Sequence, residues 1–207
     1  MQDKRFSPAT ERNSQPILEV IHHELQDARS VLEIGSGTGQ HAVVFAAELG
    51  HLIWQTSDLE VNHDDIHAWL VDAALSNVRE PLLIDVLTAE LPAKSYDAVF
   101  SANTAHIMSF AAVEKMFSLV SLVLDKNGVF CLYGPFRENG EFNTASNAEF
   151  HRLLQSSDSD MGIRHLEDLD RFAAIGNMQR LRLYAMPANN FLAVWKKMTP
   201  GDSHDNT

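Results

Sequence analysis

The stretch Val31-Leu-Glu-Ile-Gly35-Ser-Gly37-Thr-Gly39-Gln-His41 joins the end of an apolar run to three closely spaced glycines. Residues 30–34 are typical of a short buried strand, and residues 39–49 carry apolar side chains at helical spacing. The glycines permit tight turns and let a ligand approach the backbone. In an open α/β sheet, ligands bind beyond the carboxyl ends of the strands. The stretch therefore predicts a strand, a ligand-binding turn and a helix; the alternative is a tight turn that binds nothing.

The rest of the chain alternates between strand and helix periods. Six more strands are predicted, at 52–56, 82–84, 98–102, 128–133, 181–185 and 191–195. Helices are predicted from 17 after Pro16, at 66–73, at 113–124, at 146–153 behind a capping box beginning at Ser146, and at 166–175 before Gly176. This alternation predicts an α/β fold with a doubly wound, seven-stranded, mostly parallel sheet. The short final connection predicts an antiparallel last strand.

Length, composition and charge predict one globular domain. The chain has 207 residues, of which 45% are hydrophobic and 21% charged, as in an ordinary soluble protein. We expect a single domain over 1–198 and a loose polar tail over 199–207. The 16 basic and 28 acidic residues give a net charge of −12. This charge disfavours nucleic acid as a partner and is compatible with a small cationic ligand.

Cysteine content and hydropathy indicate the cellular compartment that we expect for this protein. Cys131 is the one cysteine, so the chain forms no internal disulfide or cysteine-rich metal site, and a reducing compartment is expected. Residues 1–13 lack the apolar core of a signal peptide. The longest stretch without Asp, Glu, Lys or Arg, residues 98–113, contains too many polar residues for a membrane span. We expect a cytoplasmic protein without membrane contact, and the oligomeric state stays open.

The glycine spacing discriminates between nucleotide-binding motifs. In the dinucleotide fingerprint G-x-G-x-x-G the third glycine would stand where this chain has Gln40, but it falls one residue early, at Gly39. A phosphate-binding P-loop is excluded because no Gly-Lys-Ser/Thr follows. The pattern G-x-G-x-G resembles motif I of the methyltransferases that use S-adenosylmethionine (AdoMet). AdoMet is therefore the cofactor expected here.

Three carboxylates follow or interrupt the first three predicted strands. Asp58 ends the second strand, where a carboxylate can accept hydrogen bonds from a ribose diol; its alternative role is a helix cap. Asp85 ends the third strand, where methyltransferases often have an acidic residue that accepts from the adenine amino group; its alternative is a turn aspartate. Glu33 lies inside the first strand and must be paired if buried. Resembling families place an acidic residue there near the methionine end of AdoMet, and the alternative is pairing with backbone or a lysine.

The chain resembles the methyltransferase-like protein twenty-six family, which is assigned to the class I AdoMet-dependent methyltransferases, over about residues 5 to 197. The residues that carry the resemblance are Ser7-Pro8-Ala9, Arg12-Asn13, 36–42, Trp54-Gln55, Ser57-Asp58, Asn77-Val78 before Asp85, Asn103 with His106, 133–136, Ser146-Asn147 and 186–190. The chain departs from the pattern at Met161, where Trp is expected, and at His165, where Asp is expected. The resemblance implies a Rossmann-like class I methyltransferase sheet and AdoMet, and no particular substrate.

Motif I and this resemblance imply a set of cofactor-binding residues. They are Arg12, Glu33, Gly35, Ser36, Gly37, Gly39, Asp58, Asp85 and Asn103. Arg12 would clamp the carboxylate of the methionine part of AdoMet or of a substrate, or else form a surface ion pair.

The reacting end is expected at the loop after the fourth strand, where class I enzymes usually place substrate and methyl group. Asn103 would orient an acceptor. His106 would act as a general base because its unperturbed pKa is near 6.5; the alternative is a neutral histidine hydrogen-bonded in a loop. Tyr133, at the end of the fifth strand, would line the same pocket or serve as a core aromatic.

The expected function is AdoMet-dependent methyl transfer to a small molecule. A non-catalytic AdoMet-binding or regulatory protein is one alternative. A nicotinamide-dependent oxidoreductase is the other, and the glycine spacing argues against it. No metal site is expected, because His63 and His67 share a helix face without a third spaced ligand.

Overall fold

Seven of the nine strands form one sheet in the computed structural model, which describes residues 4–88 and 94–199. The strands are β1 (Ser30–Glu33), β2 (Ile53–Asp58), β3 (Val78–Leu83), β4 (Tyr96–Ala102), β5 (Leu124–Gly134), β6 (Phe136–Arg137), β7 (Arg164–His165), β8 (Met178–Met186) and β9 (Asn190–Lys197). The order across the large sheet is β3-β2-β1-β4-β5-β9-β8. Strand β9 runs antiparallel to both of its neighbours, and the other six strands share one direction. The predicted seven-stranded sheet with an antiparallel last strand is confirmed.

Helices cover both faces of this sheet. They are α1 (Pro8–Glu24), α2 (Gln40–Glu48), α3 (His63–Ala73), α4 (Phe110–Val123), α5 (Ala145–Ser157) and α6 (Leu166–Ile175). Helices α1 and α2 pack on one face, and α4 and α6 pack on the other. Side chains along a strand alternate between the two cores: in β4, Ala98 and Phe100 face α1 and α2, and Val99 faces α4. With both faces covered, the loops at the carboxyl ends of β1 to β4 are left to build a site.

Several predicted helix starts are late. Helices α3 and α4 begin at His63 and Phe110, three residues before their predicted starts, and α1 and α5 begin at other residues than expected. Helix α1 begins at Pro8, because the hydroxyl of Ser7 accepts a hydrogen bond from the amide of Thr10 (3.3 Å) and a proline fits the first turn. Pro16 lies inside this helix. Helix α5 is capped by Thr144, whose hydroxyl accepts from the amide of Asn147 (3.2 Å). Ser146, predicted as the cap, therefore lies in the first turn.

The strands also depart from prediction in several places. Strand β5 begins at Leu124, four residues before its predicted start, and β8 begins at Met178, three residues before its predicted start. Strand β3 begins at Val78, four residues before the predicted start, and continues to Leu83. The short β6–β7 pair was not predicted, and it ties the α5–α6 connection to the end of β5. Apart from Thr199, the predicted tail lies outside the described residues. No helix within 4–88 and 94–199 is long and apolar enough to cross a membrane.

Candidate functional site

A cleft of about 1290 Å³ opens at the carboxyl ends of β1 to β4. Its floor is made by the loops that follow these four strands, at 34–38, 58–62, 84–87 and 102–109. Its remaining walls come from the N-terminal segment, the start of α5 and the β8–β9 turn, at 5–10, 146–150 and 188–190. The cleft lies where an open α/β sheet binds ligands, at the point where strand order reverses between β1 and β4.

The glycine turn after β1 has the backbone that the motif predicts. Gly35, Gly37 and Gly39 all have positive φ, at +72°, +61° and +86°. A Cβ on Gly35 would lie 2.6 Å from Cγ2 of Thr104 in the loop after β4, so the two loops touch here. A Cβ on Gly37 would meet nothing within 4 Å, which means that open space lies beside this residue. Gly35, Ser36 and Gly37 line the cleft, and Gly39 forms the N-cap of α2.

Asp58 holds the floor of the cleft at the end of β2. Its Oδ2 accepts a hydrogen bond from the amide of Gly37 (2.7 Å), and its Oδ1 accepts from the amide of Leu59 (2.7 Å) and the side chain of Asn62 (2.8 Å). An ionised carboxylate offers about four acceptor positions. Three are used by the protein, so Oδ2 retains capacity for one further donor from the cleft.

Glu33 is buried beneath the glycine turn and does not line the cleft. Its Oε2 accepts from the hydroxyl of Ser36 (2.9 Å) and the indole N–H of Trp54 (3.0 Å). Burial raises the pKa of Glu33 to about 7, and the charge of Asp58 adds to the rise. Glu33 therefore supports the turn from below, through Ser36. The expected alternative was a pairing of Glu33 with the backbone or a lysine; its side chain pairs with an indole and a hydroxyl instead.

Asp85 and Asn103 both line the cleft, as the sequence predicts. Oδ1 of Asp85 accepts from the amide of Leu87 (2.9 Å), which leaves the second oxygen of this half-buried carboxylate for another donor. Asn103 has φ +60°, and its amide donates to the carbonyl of Tyr133 (2.9 Å). This left-handed backbone turns the chain into the cleft directly after β4.

His106 lies at the far end of the same loop, and its backbone is clamped by the α5–α6 connection. The carbonyl of His106 accepts from the amide of Gly162 (2.9 Å). The guanidinium of Arg164 donates to the carbonyls on either side, those of Ala105 (3.0 Å) and Met108. Burial, together with the charge of Arg164, lowers the pKa of His106 to about 4. The imidazole is therefore neutral near pH 7, and the ordinary pKa assumed from the sequence does not apply.

Tyr133 and Arg12 are not among the residues that line the cleft. The two-residue period of β5 turns Tyr133 into the α1–α2 core, where its hydroxyl meets the side-chain amides of Asn13 and Asn190. Burial raises the pKa of this hydroxyl. Arg12 is exposed on α1, because the helix turns it away from the cleft and directs its neighbour Asn13 inward. Among the cleft-lining residues it is Arg5 that carries a guanidinium, and it pairs with Asp65 at 3.0 Å.

Several cleft residues were not predicted as site residues from the sequence. His41 is buried, its Nε2 lies 2.8 Å from Oδ1 of Asn13, and burial lowers its pKa to about 3. Thr104 fills the space beside Gly35. Asn147 and Phe150 of α5 reach the cleft from its outer side. A Thr-x-x-Asn cap pattern marks the start of α5 in the sequence, but no local signal shows that this helix end faces the β1–β4 loops.

The histidines of the described residues do not assemble into a metal centre. His63 and His67 face each other on α3 with ring centroids 6.4 Å apart, and Nε2 of His63 lies 3.1 Å from the carbonyl of Asp58. No group of three or more His, Cys, Asp or Glu side chains suited to a metal ion occurs in residues 4–88 and 94–199.

A family model covers almost the whole chain. Residues 4–197 match the family described as protein of unknown function (DUF938). The chain belongs to this family. The description of this family names no activity.

Solved methyltransferase structures share the fold of this DUF938 member. An O-methyltransferase family protein from Burkholderia thailandensis aligns with a TM-score of 0.81 at 14% identity, over 93% of this chain and 58% of that chain. The mitomycin 7-O-methyltransferase MmcR aligns at 0.77 and 12% identity, over 91% and 54%. Human N-acetylserotonin methyltransferase, solved with SAM, aligns at 0.76 and 11% identity, over 92% and 53%. At such identities the likeness shows the fold alone, and this chain spans a little over half the length of these proteins.

Proposed function

We propose that this protein is an AdoMet-dependent methyltransferase that acts on a small-molecule acceptor in the cytoplasm, in line with its resemblance to the methyltransferase-like protein twenty-six family. The observation that carries the proposal is the G-x-G-x-G turn after β1, held against Asp58 at the end of β2 by a 2.7 Å hydrogen bond from Gly37. The fold shared with known methyltransferases supports it.

The residues present fit AdoMet. The open space beside Gly37 admits a ligand against the turn, and the backbone of 35–37 would hold the methionine part. Asp58 would accept from the ribose through the free capacity of Oδ2, and Asp85 would accept from the adenine amino group. The cleft of about 1290 Å³ exceeds the usual range for a single drug-sized ligand, roughly 300–1,000 Å³, and has room for a cofactor and an acceptor.

AdoMet, when bound, supplies a methyl group on a sulfonium: an acceptor lone pair bonds to the methyl carbon, the carbon–sulfur bond breaks with its electrons on sulfur, and an O–H or N–H acceptor loses a proton. The chain contributes orientation. Holding two reactants in good alignment lowers the activation free energy by on the order of 7–11 kcal/mol. The fixed backbone of Asn103 and the clamped loop of His106 serve this purpose. The neutral imidazole of His106 accepts the acceptor's proton, which becomes strongly acidic as the new bond forms, so a weak base suffices.

Calorimetry on the free protein tests the cofactor. We expect AdoMet and S-adenosylhomocysteine to bind and NADH not to bind, because the third glycine stands one residue early for a dinucleotide. Tight binding of NADH without binding of AdoMet would overturn the assignment. Binding of AdoMet without turnover on any labelled metabolite extract would indicate a non-catalytic AdoMet-binding protein instead.

Asp58→Ala tests the ribose contact. A charge-assisted hydrogen bond contributes roughly 1.5–3 kcal/mol, so AdoMet affinity should fall about 10- to 100-fold. Asp97→Ala is the matched control: Asp97 also accepts three hydrogen bonds, from the amides of Arg29 and Ser30 and the hydroxyl of Ser30, but at the opposite end of the sheet. The control should lose stability and keep its affinity. An unchanged dissociation constant in folded Asp58→Ala would refute the ribose role.

A further inference from the structure

The outer end of the cleft has two polar side chains, each more than nine-tenths buried, whose polar atoms include some without a hydrogen-bond partner among the described residues. These atoms are reached from the cleft, since the sealed side-chain atom without a partner in residues 4–88 and 94–199 is Nε of Arg137. The first is His106, which is 8% exposed and lines the cleft. Neither of its ring nitrogens has a hydrogen-bond partner in residues 4–88 and 94–199. The neutral imidazole carries one N–H donor and one acceptor nitrogen. The imidazole lines the cleft and is not among the sealed unpaired groups, so its nitrogens are open to a ligand that displaces water from the cleft.

The second group is the side-chain oxygen of Asn147, which is 7% exposed and also lines the cleft. Its amide nitrogen donates to Oδ1 of Asn143 (2.7 Å) and to the carbonyl of Asn189 (3.0 Å). A backbone carbonyl can only accept, so these contacts fix which end of the amide is nitrogen. Both N–H groups are therefore used, and within the described part of the chain Oδ1 receives no donor.

The turn that holds Asn147 is itself under backbone strain. Ala188 and Asn189 both have positive φ, at +56° and +60°, in the turn between β8 and β9. Their conformation is held by the carbonyl of Asn189, which accepts from both Asn143 (3.1 Å) and Asn147 (3.0 Å). Strained non-glycine backbone persists where its surroundings over-determine it, often at ligand sites. The turn and the start of α5 thus form one preorganised wall.

The side chains that line the cleft beside these two groups are largely apolar. The ring of Phe150 meets His106 edge to face, with centroids 5.4 Å apart. Met108, Ala112 and Pro135 also line the cleft. The ionisable acids of the cleft, Asp58 and Asp85, follow β2 and β3 at its other end. The guanidinium of Arg164, behind His106, donates hydrogen bonds to the carbonyls of Ala105, Met108 and Asp160.

We propose that this outer subsite, formed by His106, Asn147 and Phe150, takes an uncharged aromatic molecule whose O–H or N–H donates to Oδ1 of Asn147 on binding and turns to the acceptor nitrogen of His106 when the methyl group is transferred. Phe150 and the apolar residues receive the ring, while the two unpaired groups of the subsite supply the hydrogen bonds. A cationic ligand would be repelled by Arg164, and an anionic ligand would lose its hydration without a direct hydrogen bond from that guanidinium, which donates to backbone carbonyls. The inference rests on the proposed function in one respect, namely that the ligand bound here is the methyl acceptor.

Three ring probes of similar size test the chemistry in the wild-type protein, which needs no variant. Phenol carries a donor, anisole carries none, and benzoate is charged at pH 7. Each is titrated by ¹H–¹⁵N NMR with and without S-adenosylhomocysteine. We expect phenol to shift the side-chain amide of Asn147 and to bind about 3- to 10-fold more tightly than anisole, the range for one neutral hydrogen bond, and benzoate to bind more weakly than phenol. Equal binding of phenol and anisole, or a preference for benzoate, overturns the inference.

Asn147→Ala and Asn143→Ala form a matched pair. Both remove a hydrogen bond to the carbonyl of Asn189, but Asn143 is exposed and does not line the cleft. The phenol-to-anisole preference should fall to about 1 in Asn147→Ala and persist in Asn143→Ala. A loss in both variants would assign the effect to the turn and contradict the role of Oδ1. S-adenosylhomocysteine binding is measured in the same samples: its failure refutes the proposed function, whereas failure of phenol selectivity refutes the subsite.

Discussion

Glu33 and His106 are buried ionisable side chains on either side of the glycine turn, and burial moves their pKa values in opposite directions. The pKa of Glu33 rises to about 7 and that of His106 falls to about 4. His41, also buried, has its pKa lowered to about 3. In each case removal from water disfavours the charged form. The protein therefore builds the surroundings of the turn from groups that need not be ionised.

Glu33→Gln should change how stability depends on pH. Since the pKa of Glu33 is raised in the folded protein, from 4.5 to about 7, the folded state holds more protons than the unfolded chain in that window. The stabilisation is lost as pH rises through it, at 1.36 kcal/mol per unit. Glutamine keeps an acceptor oxygen for Trp54 and Ser36 and does not titrate. We expect the free energy of unfolding of the variant, minus that of wild type, to increase by roughly 2–3 kcal/mol between pH 5 and 8.

Urea unfolding at both pH values measures this difference. The titrations of His41 and His106 oppose that of Glu33, but they occur in both proteins and cancel. A difference that stays constant between pH 5 and 8 would show that Glu33 is ionised in the folded state across the whole range.

His106 should show no titration in the pH range where an unperturbed histidine would. With its pKa lowered to about 4, the imidazole stays neutral from pH 6 to 8, so kcat on an identified O–H or N–H acceptor should be flat there. His106→Ala should lower kcat by roughly 10²–10⁴-fold and leave AdoMet affinity within a few-fold. His67→Ala, on the exposed face of α3, serves as the control. A kcat that rises with an apparent pKa near 6.5 would contradict the environment described for His106.

At the scale of the elements, the turn after β1 was predictable because its cause is local. Three glycines in five residues meet the need for positive φ, and the apolar periods on either side give the strand and the helix. The alternation of strands and helices was predictable for the same reason, since each β–α unit has its own local pattern. The positions of Tyr133 and Arg12 were not, because the face on which a strand or helix residue lies depends on which layer packs against it. The free oxygen of Asn147 likewise depends on contacts 42 residues away, at Asn189.

Gly35→Ala should destabilise the protein more than Gly37→Ala. Both alanines would adopt a left-handed backbone at a cost of roughly 1–2 kcal/mol. At Gly35 the added methyl would also lie 2.6 Å from Cγ2 of Thr104, whereas at Gly37 it meets nothing within 4 Å. Overpacking costs a further 1–3 kcal/mol, roughly.

Thr104→Ser separates the two costs. Serine keeps a hydroxyl for the 2.7 Å hydrogen bond with Ser101 and removes the methyl that would clash. The double variant Gly35→Ala/Thr104→Ser should recover the overpacking part, measured as the free energy of unfolding in urea. If the double variant is less stable than the sum of the single changes implies, the contact between the two loops is not the cause.

At the scale of the whole molecule, the N-terminal segment, residues 4–7, links the cleft to α3. The indole N–H of Trp69 donates to the carbonyl of Arg5 (2.9 Å), the guanidinium of Arg5 pairs with Asp65 (3.0 Å), and the amide of Ser7 donates to Gln40 of α2 (2.5 Å). Lys4 lies over the ring of Trp69. The segment forms one wall of the cleft, although it packs on helices far from it in sequence. Sequence patterns marked Ser7-Pro8 without indicating this position, because the partners that hold the segment on α2 and α3 are non-local.

AdoMet should therefore protect the N-terminal segment from trypsin. Cleavage after Arg5 requires the segment to leave α3, and its rate follows the population of that open form when opening and closing are fast. If AdoMet binds only when the wall is in place, a concentration of 100 Kd reduces the open population by up to about 100-fold, or about 2.7 kcal/mol. Trp69→Phe, which keeps a ring and loses the donor to Arg5, should speed cleavage by about 2- to 10-fold without AdoMet. Cleavage after Lys126, at the opposite end of the sheet, is the internal control and should change little. Mass spectrometry of timed digests measures both sites, and equal rates after Arg5 with and without saturating AdoMet would show that this segment does not close over the cofactor.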